Sequence, residues 1–471
     1  MMLDASGWAA PGAKANNLRV NPGGTGGCFA TITAAISVAA AGDTILIVGA
    51  CGTYFERLTI DKSLNLIGEG AASTTIDGAE IGQVIRITAA VTVTLTGLAI
   101  RHGQAGTGSL TDQTGGGIRS ELASLTLNYV VVSNNQTGGG AAAAGAKGGG
   151  ISNDRGNLTL NDTTVSGNIT GTPAEDNAPN SVGGSGGYEG GIYNDRGSLT
   201  LNDSTISGNV TGAGAHGSDT GGRAGFGGGM AANQGTLTLN RSTIRGNVTG
   251  NGAGGGTNGA SGSGAGLYVD GSPLFNRVVK IINSTVSGNL TGHGLFGNDG
   301  GDGGGIFVYR TNTVNLLNVT LAYHSVDADQ IGGAIANNGG TVYVKNSLLA
   351  HNHNAFGVDN ITYCSGTMIS RGYNVMMEPD CTMVPSATGT DGDQFHVRGA
   401  LLALLADNGG PTQTNALTAT SLAIDVANNA TCPPTDQRGF PRPVFGGTAL
   451  RCDVGAFELY RFGVRLPLVT K

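Results

Sequence analysis

Residues 148–171 read GGGISNDRGNLTLNDTTVSGNITG, and the same pattern returns at 190–212 as GGIYNDRGSLTLNDSTISGNVTG and at 227–250 as GGGMAANQGTLTLNRSTIRGNVTG. More degenerate copies of this unit begin at four further glycines: Gly115, Gly264, Gly303 and Gly332. The unit is about 23 residues long, and a variable insert follows each copy. Self-similarity at a fixed period in this range is typical of repeat architectures, in which each unit buries its apolar face against its neighbours.

Apolar and polar residues alternate with a period of two inside each unit, which predicts short strands. Leu158 and Leu160 flank Thr159, and turn residues such as Asn-Asp and Arg-Gly interrupt the runs. Three strands per unit would close one triangular coil, and each strand would pair in parallel with its counterpart about 4.8 Å away. Parallel crossovers are right-handed. The sequence therefore predicts an all-β fold, a right-handed parallel β-helix built as a single-stranded solenoid of about 12 coils.

The composition agrees with a thin core and excludes some partners. Glycine supplies 85 of 471 residues, while charged residues make up 12% and aromatic residues 5%. The formal charge of −7 disfavours nucleic acid or an anionic membrane surface as a partner. No stretch reaches the ~20 apolar residues of a transmembrane helix. The N-terminus has no visible signal peptide, because it lacks a basic region followed by an apolar one.

One asparagine recurs in the Ser-Gly-Asn or Arg-Gly-Asn triplet of each unit, at Asn168, Asn209, Asn247 and Asn289. If the units stack in register, each side-chain amide would bond to the next and form an asparagine ladder. The same residues begin Asn-x-Thr sequons, so N-glycosylation stays open as an alternative.

The inserts occupy one position in the unit, from about 137 to 332, with 172–188 and 213–226 as examples. Inserts at one position leave the solenoid at one corner, so they would form a continuous strip of glycine and small polar residues. Such a strip is often the binding face of a repeat protein. The alternative is a solvated, disordered fringe, because the inserts have few apolar residues to pack.

The two ends of the chain differ from the middle, and three regions follow. Residues 1–42 form an N-terminal segment with a short helix that would cap the first coil. Residues 43–394 form the β-helix, and residues 395–471 hold the last coils, a capping module and a short tail. Five charged residues of this module are expected to form an ion-pair and hydrogen-bond network that stabilises the cap: Asp436, Arg438, Arg442, Asp453 and Glu458.

The six cysteines fall into three local pairs, and none forms a Cys-x-x-Cys motif, which disfavours a zinc site. Each pair closes a loop of roughly 20 residues, as short-range disulfides do. Disulfides imply an oxidising compartment, so a secreted or cell-surface protein is expected. The predicted disulfides are Cys28–Cys51, Cys364–Cys381 and Cys432–Cys452.

Few residue patterns point to a metal or to catalysis. In GNDGGDGGG (297–305), Asp299 and Asp302 could hold calcium through carboxylate and backbone oxygens, and no other cofactor is expected. In the repeats, Asp154 and Arg155 would stack on Asp195 and Arg196, either as a calcium or uronate site or as a duplicated turn. No acid and base pair suited to glycoside cleavage is evident, so no catalytic residue is predicted.

Motifs at both ends of the chain carry a family resemblance. The segments AGDTILIVGACGTYFERLTI (41–60), LADNGGPTQTNAL (405–417), DQRGFPRP (436–443) and CDVGAFE (452–458) resemble bacterial exported right-handed parallel β-helix proteins of the choice-of-anchor class. The glycine-led repeats are also similar to those of polymorphic outer-membrane proteins. The resemblance implies surface exposure and disulfides Cys364–Cys381 and Cys432–Cys452, but no established activity.

Three functions are compatible with these patterns. The first is a non-catalytic, adhesion-like or structural protein of the cell surface, whose glycine-rich strip binds a glycan or a surface protein. The second is a carbohydrate-active enzyme, a polysaccharide lyase or glycoside hydrolase of the pectin-lyase-like fold. The third is a self-associating component of a filament or sheath. The chain has only 12 Phe, 11 Tyr and one Trp, and they are not expected to cluster in the repeats, which favours the first function. Enzymatic activity is left open.

Overall fold

The computed structural model describes residues 16–48, 52–106, 113–138, 145–271, 277–294, 300–327, 330–354, 362–377, 381, 383–385, 392–399, 402–445 and 449–460. In these residues the chain forms one α-helix, α1 (Ile32–Val38), and forty strands. A membrane-spanning helix is not found among the residues described.

The strands of the first half of the chain are β1 (Asn17–Val20), β2 (Thr44–Ile47), β3 (Gly52–Phe55), β4 (Leu58–Ile60), β5 (Leu64–Gly68), β6 (Thr74–Asp77), β7 (Ile85–Ile87), β8 (Thr92–Thr96), β9 (Ala99–Arg101), β10 (Gln104–Ala105), β11 (Ile118–Glu121), β12 (Ser124–Asn128), β13 (Val131–Ser133), β14 (Gln136–Thr137), β15 (Ile151–Asp154), β16 (Asn157–Asn161), β17 (Thr164–Ser166), β18 (Ile192–Asp195), β19 (Ser198–Asn202) and β20 (Thr205–Ser207).

Those of the second half are β21 (Met230–Asn233), β22 (Thr236–Asn240), β23 (Thr243–Arg245), β24 (Leu267–Asp270), β25 (Val278–Ile282), β26 (Thr285–Ser287), β27 (Ile306–Tyr309), β28 (Thr313–Leu317), β29 (Thr320–Ala322), β30 (Ser325–Val326), β31 (Ile331–Asn338), β32 (Thr341–Lys345), β33 (Leu348–Ala350), β34 (His353–Asn354), β35 (Thr362–Ser365), β36 (Met368–Ser370), β37 (Val375–Met376), β38 (Met383–Pro385), β39 (Leu402–Ala406) and β40 (Thr414–Leu417).

Three long parallel sheets form the faces of the solenoid, which confirms the predicted β-helix. Sheet A has thirteen strands, from β1 to β38; sheet B has eleven, from β3 to β37; sheet C has ten, from β4 to β35. Successive strands of a sheet come from successive coils, so neighbours along each sheet lie one unit apart in the chain. The strands of sheet A span about 55 Å at the usual parallel-strand spacing.

The core is a set of apolar columns that run along the solenoid axis. In sheet A, Leu158 pairs with Leu199, and Leu199 pairs with Leu237, each from the next coil. All three are 1% exposed, while the threonines between successive leucines point outward. Because the strands pair without a shift over these coils, identical apolar side chains stack on one another and fill a core that is only one side chain deep on each face.

The helix α1 closes the first coil, as expected. Thr31 caps its N-terminus by accepting a hydrogen bond from the amide of Ala34, and the carboxylate of Glu56 accepts from the amides of Ile32 and Thr33 at 2.8 and 2.9 Å. The buried face of the helix packs against β1, β2 and β4. The helix thereby shields the apolar end of the solenoid, which would otherwise face solvent.

The recurrent asparagines form a continuous ladder inside the turn after sheet B. The amide nitrogen of Asn168 donates to the side-chain oxygen of Asn209 at 2.9 Å, Asn209 donates to Asn247 at 3.0 Å, and Asn247 donates to Asn289 at 2.9 Å. All four side chains are 0% exposed. A glycan cannot be carried there in the folded protein, so these sequons are structural.

The ladder continues in both directions through residues that the repeat motif did not identify. Asn135 precedes it, donating to Asn168 at 3.0 Å, and His324 takes the place of an asparagine after Asn289. The Nδ1 atom of His324 accepts from the amide of Asn289 at 3.2 Å, and burial lowers the pKa of this imidazole to about 3. His324 is therefore neutral, with its proton on Nε2.

The C-terminal module packs along the side of the solenoid, on the outer face of sheet B. The side chain of Gln437 bonds to Thr243 and Thr285 of two successive coils at 2.8 and 2.6 Å. Further along the axis, the amide of Ala456 donates to the hydroxyl of Thr320 at 3.0 Å, and the amide of Gly455 donates to the carbonyl of Asn346. The module therefore ties together the strands of four coils.

The five charged residues predicted in this module lie in one buried cluster. Arg438 pairs with Asp436 at 2.7 Å, and Arg442 pairs with Glu458 at 3.3 Å. Glu458 also accepts from the amide of Asp453 at 2.9 Å, and its own amide donates to Asp436 at 3.1 Å. Burial and the nearby Glu458 raise the pKa of Asp453 to about 7.

Two of the predicted disulfides are present: Cys364–Cys381 joins the last coils, and Cys432–Cys452 lies within the C-terminal module. The third prediction, Cys28–Cys51, involves Cys51, which lies outside the described residues.

We predict that His324→Asn protects the protein against acid. The folded-state pKa of about 3 lies below the ordinary 6.5, so the unfolded chain binds more protons between these values, and stability is lost as pH falls through this window. The loss approaches about 1.4 kcal/mol per pH unit, and an asparagine rung would abolish it. Thermal unfolding at pH 7 and pH 4.5 measures the effect. The exposed His216→Asn is the control, and equal acid sensitivity of both variants would contradict the prediction.

Candidate functional site

The outer face of sheet C carries two rows of mostly polar side chains that run parallel to the axis. Alternate residues of each strand point outward, and in-register pairing places equivalent residues one strand apart. The first row includes Arg119, Ser152, Tyr193, Ala231 and Tyr268. The second row includes Glu121, Asp154, Asp195, Asn233 and Asp270. Acceptor oxygens therefore recur at a spacing of about 4.8 Å along the second row, where four of the five residues carry a carboxylate and Asn233 carries an amide.

A trough, here called the polar groove, lies between these rows and the base of the inserts. Its larger part has a volume of about 340 Å³ and is lined by Gln113, Thr114, Arg119, Glu121, Lys147, Ser152, Asp154, Tyr193 and Asp195, among others. A smaller part of about 190 Å³ adjoins it and is lined by Lys147, Tyr188, Glu189, Tyr193, Phe226, Asn233, Tyr268 and Asp270. Lys147 and Tyr193 border both parts, so the groove follows the axis over several coils.

Arginines from the turns after β15 and β18 neutralise the carboxylates of the second row. Asp154 and Asp195 stack in register, as the duplicated motif predicts. Arg155 contacts Asp154 at 2.9 Å, and Arg196 contacts Asp195 at 2.7 Å and reaches back to Asp154 at 3.4 Å. Glu121 pairs with Arg119 in the same way. These carboxylates are held as ion pairs that fix the edge of the groove.

A hydrogen-bond network crosses the middle of the groove. The Nζ of Lys147 donates to the hydroxyl of Tyr193 at 3.2 Å and lies 4.6 Å from the centre of its ring. Asn233 donates to the same hydroxyl at 3.2 Å and to Asp195 at 2.8 Å. Burial lowers the pKa of Lys147, but Glu189, Tyr193 and Asp195 outweigh it and raise the pKa overall. The lysine is therefore charged.

Glu189 is a buried carboxyl group at the floor of the smaller part. It is 5% exposed, and its backbone has φ +51°, a left-handed conformation that is uncommon for a glutamate. Burial raises its pKa to about 8, although Lys147 opposes the shift. Its Oε2 atom has no hydrogen-bond partner among the described residues. The side chain therefore carries a proton at neutral pH.

An aromatic ladder that the repeat motif does not reveal supports the wall of the groove. The rings of Tyr188, Phe226, Tyr268 and Phe307 stack with centroids 5.6, 5.2 and 5.4 Å apart. The expectation that aromatic residues do not cluster in the repeats is therefore wrong. Tyr188 and Phe226 stand before the glycines that begin a repeat unit, whereas Tyr268 and Phe307 lie on β24 and β27. No single position in the motif therefore identifies all four rings. Because the rings cover one another's faces, the ladder braces the groove and offers few free faces to a sugar.

The inserts form an ordered wall, here called the insert ridge and comprising residues 172–188, 213–226 and 251–263. Neighbouring inserts bond through their backbones, for example Gly183 to Thr220 at 2.8 Å and Gly214 to Asn251 at 2.9 Å. A Cβ atom on Gly225 would lie 1.7 Å from the carbonyl oxygen of Gly187, so only glycine fits there. The alternative of a disordered fringe is therefore wrong for these residues.

A threonine ladder fastens each insert at its base. The hydroxyl of Thr211 donates to the carbonyl of Gly225 in the same insert at 2.8 Å and accepts from the amide of Gly250 in the next at 2.8 Å. Thr170 and Thr249 make equivalent contacts. The Asn-x-Thr motif thus supplies two ladders, one from the asparagine and one from the threonine.

The predicted calcium site is only partly described. Asp299 lies outside the described residues, and the carboxylate of Asp302 accepts from the amide of Ile331 at 3.1 Å. The described residues contain no group of three or more histidine, cysteine, aspartate or glutamate side chains arranged to hold a metal ion.

Comparison with known proteins returns structural likeness alone. No family model and no curated protein matches the sequence. A pectate lyase, Pel9A, is similar with a TM-score of 0.44 and 13% identity over 95% of this chain and 97% of that one. A rhamnogalacturonan lyase has a TM-score of 0.31 and 12% identity over 74% and 85% of the two chains. For a pectin methylesterase from Aspergillus niger the values are 0.29, 16%, 65% and 86%. The likeness does not extend to a substrate or an activity.

We predict that Glu189→Gln stabilises the protein at alkaline pH. The folded-state pKa of about 8 lies above the ordinary 4.5, so the stability that the protonated carboxyl group contributes is present below pH 4.5 and is lost as pH rises through 8. Glutamine keeps the neutral shape at every pH. The difference in unfolding midpoint between variant and wild type should be small at pH 5 and large at pH 8.5.

The control for this experiment is Glu175→Gln, because Glu175 is exposed on the insert ridge. Asp453 also has a raised pKa, which makes the stability of all three proteins depend on pH in the same way. Only the differences between their unfolding midpoints are therefore compared. A constant difference between Glu189→Gln and wild type from pH 5 to 8.5 would contradict the buried, protonated state of Glu189.

Proposed function

We propose that this chain is an extracellular, non-catalytic β-helix protein that binds an extended glycan in the polar groove. The observation that carries the proposal is the pair of outward polar rows on sheet C beside the insert ridge. In the second row an acceptor oxygen recurs once per coil from Glu121 to Asp270, about every 4.8 Å. That repeat is close to the length of one pyranose residue in an extended chain, so successive sugars could meet equivalent groups.

The ion pairs along the groove favour binding over chemistry. A carboxylate that an arginine already holds, as Arg196 holds Asp154 and Asp195, is a poor base or nucleophile but a good acceptor for sugar hydroxyls. The insert ridge then serves as a rigid wall of the groove, since its backbone groups bond to one another. The glycan is therefore expected to bind in the polar groove beside the glycine-rich strip, and not on the strip itself.

An extracellular location is supported by the two disulfides, which persist in oxidising compartments. Both lie in the C-terminal part, where one joins the last coils and the other fastens the module to itself. In a solenoid, unfolding starts most readily at an end, because a terminal coil has a neighbour on one side only. Covalent links at this end therefore suit a protein exposed to the environment outside the cell.

We predict that the double variant Lys147→Ala/Asp154→Ala binds glycan at least roughly tenfold more weakly than wild type. It removes a donor and an acceptor that border the groove, and each hydrogen bond to a charged group contributes about 1.5–3 kcal/mol. A glycan array selects the ligand, and isothermal titration with that oligosaccharide measures the affinity.

The matched control is Asp203→Ala/Arg241→Ala, which removes an ion pair of the same kind at the corner between sheets A and B. This control should bind as wild type does. Equal affinity of the groove variant and wild type for the selected ligand, or no ligand on the array, would contradict a glycan-binding groove.

One observation favours a second candidate, a glycoside-cleaving enzyme. Glu189, whose pKa burial raises to about 8, lies in a groove that also holds carboxylates paired with arginines, and carboxyl groups in such different environments can divide the roles of acid and base. If Glu189 donates a proton to a leaving group, wild type should release new reducing ends from the bound glycan, and Glu189→Gln should lose this activity while it keeps its affinity. Absence of reducing ends with wild type would exclude this candidate.

A further inference from the structure

A second pocket lies on the outer face of sheet A, where this sheet meets the C-terminal module. Two outward rows of successive strands form it: Lys280, Asn315 and Tyr343 in one, and Ile282, Leu317 and Lys345 in the other. Arg371, which directly follows β36, and Thr431 of the module complete the lining. The pocket has a volume of about 430 Å³ and is here called the basic pocket.

The charge of this pocket is positive and unneutralised. Its charged lining residues among those described are Lys280, Lys345 and Arg371, and none of the described lining residues carries a carboxylate. Across the described part of the chain, no aspartate or glutamate oxygen lies within 4.0 Å of a charged nitrogen of these three residues. The whole chain carries a formal charge of −7. Three cations without a carboxylate partner, close together in an acidic protein, make this pocket attractive to an anion from outside.

Arg371 and Lys345 are arranged for such an anion. The guanidinium carbon of Arg371 lies 3.8 Å from the centre of the Tyr343 ring, and its Nη1 atom donates to the Asn315 side chain at 3.4 Å. These contacts hold the guanidinium plane and leave further N–H groups to bind an oxyanion through two oxygens. Burial and the neighbouring Arg371 lower the pKa of Lys345.

The floor of the pocket is apolar. Ile282 and Leu317 are partly exposed between the cations, and Thr431 forms a wall that Asn346 holds through a hydrogen bond to its hydroxyl at 3.4 Å. A bare inorganic ion would leave this floor uncovered. A ligand that carries an oxyanion on a compact body with C–H groups, such as a sugar ring, would cover the floor and reach the cations together.

We propose that the basic pocket binds an acidic sugar residue, with a carboxylate or sulfate-ester group held by Arg371, Lys345 and Lys280 and the sugar ring resting on Ile282 and Leu317. This site lies on a different sheet from the polar groove and is independent of it. Since carboxylate and sulfate share the oxyanion chemistry, separate ligands distinguish the two sources.

The test is isothermal titration of the full chain with four probes: a glucuronate-containing disaccharide, a sulfated disaccharide, a neutral disaccharide and inorganic sulfate. At least one acidic disaccharide should bind more tightly than both the neutral disaccharide and inorganic sulfate, and its affinity should fall as salt rises. The double variant Lys345→Gln/Arg371→Gln should weaken that binding roughly tenfold or more. Lys345→Arg, which keeps the charge, should retain it.

The matched control is Arg19→Gln/Arg398→Gln, which makes the same change in net charge at two exposed arginines that line neither the basic pocket nor the polar groove. It should bind as wild type does, and the thermal midpoints of all variants verify that they are folded. The proposal is overturned if no acidic disaccharide binds, if the neutral disaccharide or inorganic sulfate binds as tightly, or if the Lys345→Gln/Arg371→Gln variant binds as wild type does.

Discussion

The in-register pairing of parallel strands is the constraint on which the rest of this structure depends. Each coil lies directly over the one before, so a residue type that recurs in the sequence becomes a column in space. Leucine columns make the core, and asparagine columns satisfy the buried turn through chains of side-chain amides. A shift of one residue would turn every leucine outward, which is why register is strongly specified.

The same constraint explains why glycine is so abundant. Inserts that leave at one corner are brought as close together as the strands are, and side chains on their facing sides would collide. At Gly225, where a Cβ atom would overlap a carbonyl oxygen, glycine allows the backbones to bond to each other directly. The inserts thus gain order from backbone hydrogen bonds and buried threonine hydroxyls, with few apolar contacts.

Most of the fold could be predicted from the sequence because it follows from repetition. The strands, the capping helix, the stacking of Asp154 on Asp195 and two disulfides follow from local patterns. His324 and the aromatic ladder could not be predicted, because each breaks the repeat or changes position within it. The side-on packing of the C-terminal module depends on contacts more than 130 residues apart, such as that of Ala456 with Thr320, which no local pattern encodes. The role of Glu189 could not be predicted either, because it depends on the burial of this side chain.

Stacking also places like charges on top of one another, and the two candidate sites deal with this in opposite ways. On sheet C, Asp154 and Asp195 would repel across adjacent strands, and Arg196 lies where it contacts both. On sheet A, Lys345 and the adjacent Arg371 also carry like charges, but no carboxylate in the described part of the chain neutralises them. In a solenoid, one neutral residue in one coil can relieve the repulsion within such a column, as Asn233 does between Asp195 and Asp270. Among the described residues, the adjacent Lys345 and Arg371 are left without such a neutralising carboxylate beside an apolar floor, and this arrangement is what the proposed anion site requires.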